Sequence, residues 1–201
     1  MIDIQYQTIS RNSEGFYKEK GSKFIALAYP VHGLTEIKNY IAESKKEYYD
    51  ARHHCYAYIL RDGAQVSHRA NDDGEPSHSA GDPILGQLKS FELENVLVIV
   101  VRYFGGTKLG VSGLIQAYKA ATEKALSSVK FKTVVVKQSI ELNYPYDKTN
   151  EVMRLVEELD IAIGQQEFNE NCVLQGKILP SRLEKLKAKV GLLLGVSIQA
   201  L

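Results

Sequence analysis

Tryptophan is absent, cysteine and methionine occur twice each, and proline five times in 201 residues. Cys55 and Cys172 stand far apart, so they form neither a disulfide framework nor a CxxC metal site. That usage suits a reducing compartment. No run of like charges is long enough to be a tail. The 25 Lys and Arg against 24 Asp and Glu exclude a surface coated in one sign, though not a local basic groove. No apolar stretch approaches the roughly 20 residues that span a bilayer. The longest, Val96 to Val101, suits a buried strand. The first residues lack a basic start followed by an apolar run, so no signal peptide is expected. These absences predict a cytoplasmic chain without a membrane partner.

What is there reads as an ordinary globular protein, 44% hydrophobic and 24% charged, long enough to bury a core without metal or disulfide support. Strand-like and helix-like segments alternate. Lys23 to Tyr29, His53 to Leu60 and Gln65 to Arg69 read as strands, the last two joined by an Asp62-Gly63 turn. Leu34 to Tyr48 reads as an amphipathic helix, and Asp82-Pro83 as the N-cap and first position of another. The unbroken apolar run from Val96 to Phe104 predicts a central strand buried on both faces. A glycine-rich turn then leads into a helix over Val111 to Val129, with Leu114, Tyr118, Ala121 and Ala125 on its inner stripe. Near residue 132 the organisation restarts. Val134 to Leu142 reads as a strand, Asp147 as a helix cap, Ile161 to Phe168 and Cys172 to Leu179 as a hairpin, Pro180 as a helix start and Val196 to Ala200 as a closing strand. This β-α-β-β-α-β order is ferredoxin-like. The fold class is therefore α+β with two domains, 1–132 and 133–201.

Three segments could carry chemistry. In Arg102-Tyr103-Phe104-Gly105-Gly106-Thr107-Lys108-Leu109-Gly110, a strand ends, glycines turn the chain and a helix begins. Free N–H groups at such a helix start favour an anion, and Arg102 and Lys108 could add charge-assisted hydrogen bonds. Val111 stands where a P-loop needs lysine, so a tight packing turn is the plainer reading. In Asp50-Ala51-Arg52-His53-His54-Cys55, strand alternation puts His53 and Cys55 on one face and Arg52 and His54 on the other. A cysteine within a strand is more often a packing residue than a nucleophile, and the histidines sit at no established metal spacing. The third segment, Asn71 to Gly81, holds Asp72, Asp73 and Glu75. A structural acidic loop holding Arg52, Arg69 or Arg102 is favoured over cation binding or acid–base chemistry. No catalytic residue, metal or cofactor is assigned.

The segments KGSKFIA (Lys20 to Ala26), DARHHCYAY (Asp50 to Tyr58), NDDGEPSHSAG (Asn71 to Gly81) and VIVVRYFGGTKLGVSGLIQAY (Val98 to Tyr118) together resemble the YigZ/IMPACT family. The last is the most specific. The resemblance covers the first domain almost end to end. It implies a first domain of the left-handed β-α-β type found in a ribosomal protein and in elongation factor G, and a second like that factor's last domain. It also implies a link to translation, since the eukaryotic relatives regulate initiation by competing for an activator of a stress-responsive kinase. The family assigns no catalytic residues.

Together these lead to a non-catalytic protein whose first domain contacts RNA or the ribosome. The candidate binding residues, for RNA or an anion, are Lys20, Lys23, Arg52, His54, Arg69, Arg102, Tyr103, Gly105, Gly106, Lys108 and Gly110. Tyr103 is the expected stacking residue. The rival is a hydrolase or transferase acting on a phosphorylated small molecule at the Asp/His cluster. A protein partner bound through an apolar patch on the second domain's sheet is a third option.

Overall fold

The computed structural model describes residues 3–201. They divide into two compact units. One is Tyr6–Val134, and the other is Val135–Leu201 with the described residues up to Gln5.

The first unit is built on a five-stranded antiparallel sheet. Its strands are β2 (Ser13–Glu19), β3 (Ser22–Pro30), β4 (His53–Asp62), β5 (Gln65–Asn71) and β6 (Val96–Tyr103), in the order β2-β3-β6-β4-β5. Central β6 is buried from Val96 to Arg102, which is why its sequence is an apolar run without alternation. Both β3 and β4 run antiparallel to β6, so they are parallel to each other. The helix between them, α1 (Leu34–Glu47), covers one sheet face through Ile37, against Leu27, Leu97, Ile99 and Val101. The other face packs on α2 (Gly81–Ser90) and α3 (Gly110–Ser127), through Ile84, Leu88, Ala117, Tyr118 and Ala121.

Two strands were not anticipated: β2 and the short β1 (Gln5–Ile9). The segment read as one strand over Val134 to Leu142 is two, β7 (Phe131–Val135), which pairs with β1, and β8 (Gln138–Pro145). Nor does Asp82 cap α2. The capping position is Ala80, and Asp72 reaches across from the loop to accept the Ala80 and Gly81 amides at 2.9 and 2.8 Å. Asp82 lies in the first turn, where its charge still suits the helix dipole.

In the second unit the order is β8, α4 (Thr149–Glu158), β9 (Ala162–Glu167), β10 (Asn171–Ile178), α5 (Pro180–Val190) and β11 (Ser197–Ala200). The antiparallel sheet runs β11-β8-β10-β9, the ferredoxin-like arrangement. Asp147 falls in a 3-10 turn ahead of α4, whose capping position is Lys148. Ile140, Leu142, Tyr144, Leu174 and Ile178 form its core with Val152, Leu155, Leu183 and Leu186. Among the described residues no helix is long and apolar enough to cross a membrane.

Candidate functional site

One end of the five-stranded sheet gathers most of the residues singled out in the sequence. Antiparallel register puts Phe24, Arg102 and His53 side by side, and Lys23 beside Tyr103. Lys18 of β2 lies directly opposite Lys23. Arg52 directly precedes His53, the first residue of β4, and so lies at the same end of the sheet. Lys18, Lys23 and Tyr103 thus cross the sheet end in a line, with strands about 4.8 Å apart, and Arg52 stands at the same end. Two lysines opposed across a strand pair cost stability unless an anion lies between them.

Two turns close this end. Lys20 (φ 46°) and Gly21 (φ 80°) join β2 to β3 as a two-residue turn with both residues left-handed, the geometry that matches strand twist. Gly105 packs directly on it, and its amide donates to the Ser22 hydroxyl at 3.1 Å. A Cβ on Gly105 would stand 1.9 Å from the Gly21 carbonyl carbon, so no side chain fits there. Lys20, Lys23, Arg52 and Lys108 are exposed, and none is in an ion pair among the described residues.

Beneath the turns lies a buried polar network. Arg102 is only 6% exposed and donates to Glu75 Oε1 at 2.6 Å. The same oxygen accepts the Tyr118 hydroxyl at 2.8 Å. Cys55 Sγ is 3.3 Å from that hydroxyl and 2.9 Å from the Asp72 carbonyl, its one proton serving either acceptor. Burial pushes both the Cys55 thiol and the Tyr118 phenol far above their ordinary range, so both stay protonated. Cys55 is accordingly a core residue and no nucleophile. The Arg102 guanidinium lies over the rings of Phe24 (5.5 Å) and Phe104 (5.6 Å), and its Nε has no partner.

The remaining acids are also occupied. Asp72 accepts the amides of His78, Ala80 and Gly81. Asp73 accepts the His54 amide at 2.7 Å and the Lys45 ammonium at 3.0 Å. Burial works to raise the Asp73 pKa, but these two donors outweigh it and hold the carboxyl below its usual value. His53 donates from Nδ1 to the Asp73 carbonyl at 2.9 Å, and His78 bonds Asp82. Among the described residues no three His, Cys, Asp or Glu side chains converge as a metal would require. Both oxygens of Asp72 and Asp73 are taken, so the acid loop offers neither as a base to the phosphoryl-transfer rival.

Several expected roles need correction. Arg102 is buried and spent on Glu75, so it is no phosphate contact. His54 is 5% exposed, and burial holds its pKa below the ordinary value, so it offers no charge at the surface. Arg69 lies level with Tyr58, five residues along β4 from His53, or roughly 16 Å from the row. Tyr103 is half-buried, and its hydroxyl donates to Asp50 at 2.7 Å, which pushes its pKa up to about 12. The second unit's sheet face opposite its helices carries Ser139, Glu141, Asn143, Gln175 and Lys177 with Val173 among them, so it is mainly polar and not the apolar patch sought there. Its exposed apolar side chains include Tyr146, Phe168, Leu192 and Leu194 in connections, Ile163 on β9, and Leu201 after β11. Sequence reasoning missed Lys18, visible only through register, and Tyr118, whose place on an apolar helix stripe concealed its hydroxyl's partners.

Residues 20–126 match the family described as the Impact N-terminal domain. A Haemophilus influenzae protein named as an IMPACT family member is 34% identical over 155 residues, covering 76% of this chain and 74% of that protein. The chain belongs to the IMPACT family. Its Escherichia coli relative YigZ is 28% identical over 174 residues, or 85% of this chain and 84% of that one. A crystal structure of a hypothetical protein superposes with a TM-score of 0.74 at 26% identity, covering 100% of this chain and 98% of that one. The IMPACT match includes the whole buried network and every cation of the sheet end except Lys18.

Proposed function

We propose that this chain acts in translation as a cytoplasmic binding protein, and that the end of its five-stranded sheet contacts RNA, free or in the ribosome. One observation carries the proposal: Lys18 and Lys23 opposed across β2 and β3, with Arg52, Lys20 and Lys108 at the same end of the sheet, five exposed cations free of ion pairs among the described residues. The nearby carboxylates, Glu19 and Asp50, are each engaged by a tyrosine hydroxyl. The chain's overall balance is only +1, so this cluster is a local concentration and not part of a generally basic surface. Phosphates would take the place of counterions at these cations. IMPACT membership supports the translation link through the regulatory role that family resemblance implies. The buried network serves this surface by fixing the turns that display it, so Arg102 is a positioning residue.

Cosedimentation with ribosomes and with free RNA across a salt series tests the proposal. Binding that weakens as salt rises, and is lost with Lys18→Ala, Lys23→Ala and Arg52→Ala together, supports it. No binding to either at low salt refutes it.

A further inference from the structure

Resting on that RNA-binding proposal, we infer that Phe104 is the base-stacking platform of the surface and that its ligand is single-stranded RNA with an unpaired base over this ring. Phe104 is 52% exposed at the rim where the chain leaves β6, one residue beyond the row of cations. A lone exposed phenylalanine means little by itself. This one is held: the Arg102 guanidinium lies 5.6 Å from its ring centroid and is itself fixed by Glu75 and by Phe24 beneath. The ring's orientation is therefore set before a ligand arrives, which lowers the ordering cost of binding.

The surroundings leave room. Gly105 and Gly106 follow Phe104 directly and carry no side chain, and a Cβ at Gly106 would meet nothing within 4 Å, so the two residues next to the ring build no wall beside it. Lys108 is exposed just beyond, and Lys20 stands on the turn that Gly105 touches. An aromatic platform beside unpaired cations is how single strands are held without sequence readout. Duplex bases have no face to offer such a ring, which makes the unpaired strand the fitting partner. Tyr103 is the lesser candidate, being half-buried at the end of the strand, whereas Phe104 is 52% exposed.

The test uses the full chain and a short oligoribonucleotide carrying 2-aminopurine, whose fluorescence falls on stacking, with the same sequence as a duplex for comparison. Phe104→Ala is expected to weaken single-strand binding by roughly 5- to 150-fold and abolish the quenching. Phe104→Trp should restore both, and duplex binding should be unmoved by either. Lys18→Ala with Lys23→Ala should weaken both forms alike. If Phe104→Ala leaves single-strand binding intact, or weakens duplex equally, while the lysine variant lowers both, stacking is overturned and the RNA-binding proposal stands. If the unmodified chain binds neither form at low salt, both proposals fall together.

Discussion

Replacing Glu75 with alanine leaves the Arg102 guanidinium buried without its counter-charge and removes the acceptor of the Tyr118 hydroxyl. The side chains of Arg102 and Glu75 are only 7% and 4% exposed, so water cannot readily take over. Breaking such a pair costs about 3–5 kcal/mol. For a unit of this size that lowers Tm by on the order of 10–20 °C. Arg102→Ala should cost a similar amount for the reciprocal reason. Replacing both together, as Glu75→Leu with Arg102→Met, should recover most of the loss, because no unpaired charge remains. Urea unfolding of Glu75→Leu, Arg102→Met and the double variant, followed by circular dichroism, measures the cycle, with Glu75→Ala alongside. A Glu75→Ala change below about 1 kcal/mol, or single effects that simply add in the double variant, would refute the assignment of a coupled buried pair.

Gly105→Ala should destabilise more than Gly106→Ala. The first forces a Cβ into the Gly21–Ser22 backbone, whereas the second meets only the strain of its φ of 88°, roughly 1–3 kcal/mol; equal urea midpoints for the two variants would show that the turns are not packed as described. Burial holds the His54 pKa below its ordinary 6.5, so in that window the unfolded chain binds a proton that the native chain does not. Stability should therefore fall as pH drops below 6.5. His78 is pushed the other way by Asp82, so the comparison belongs in a His78→Ala background, where His54→Gln should flatten the slope between pH 7 and 5. Both cysteines are buried and free, and neither should react with a thiol reagent until the chain is unfolded; prompt reaction of Cys55 in the native protein would contradict its place in the network.

The sequence made the strongest elements legible because their patterns were one-sided. β6 is an apolar run, and a run of that length has its place only in the centre of a covered sheet. The ferredoxin-like order could be read from strand and helix periods alone. What escaped depends on distance in the chain. β2 mixes Glu, Lys and Gly with Phe and Tyr, since it lies at an edge and Gly15 is needed for close approach to α3, so its alternation is weak. The partner of Arg102 lies 27 residues away in the acidic loop, and nothing local distinguishes an arginine that pairs inward from one that faces solvent. Lys18 joined the row only once β2 was set against β3. Composition, being nearly neutral, concealed a cationic edge that register assembles from four segments.

The most direct test of that edge is the salt dependence of RNA affinity for the unmodified chain and for Lys18→Ala, Lys23→Ala and Arg52→Ala combined. With each cation on a phosphate, the plot of log affinity against log salt should become shallower by about 2, roughly 0.7 for each phosphate of a single strand that is no longer neutralised. An unchanged slope in the triple variant would contradict the claim that these cations meet the phosphates.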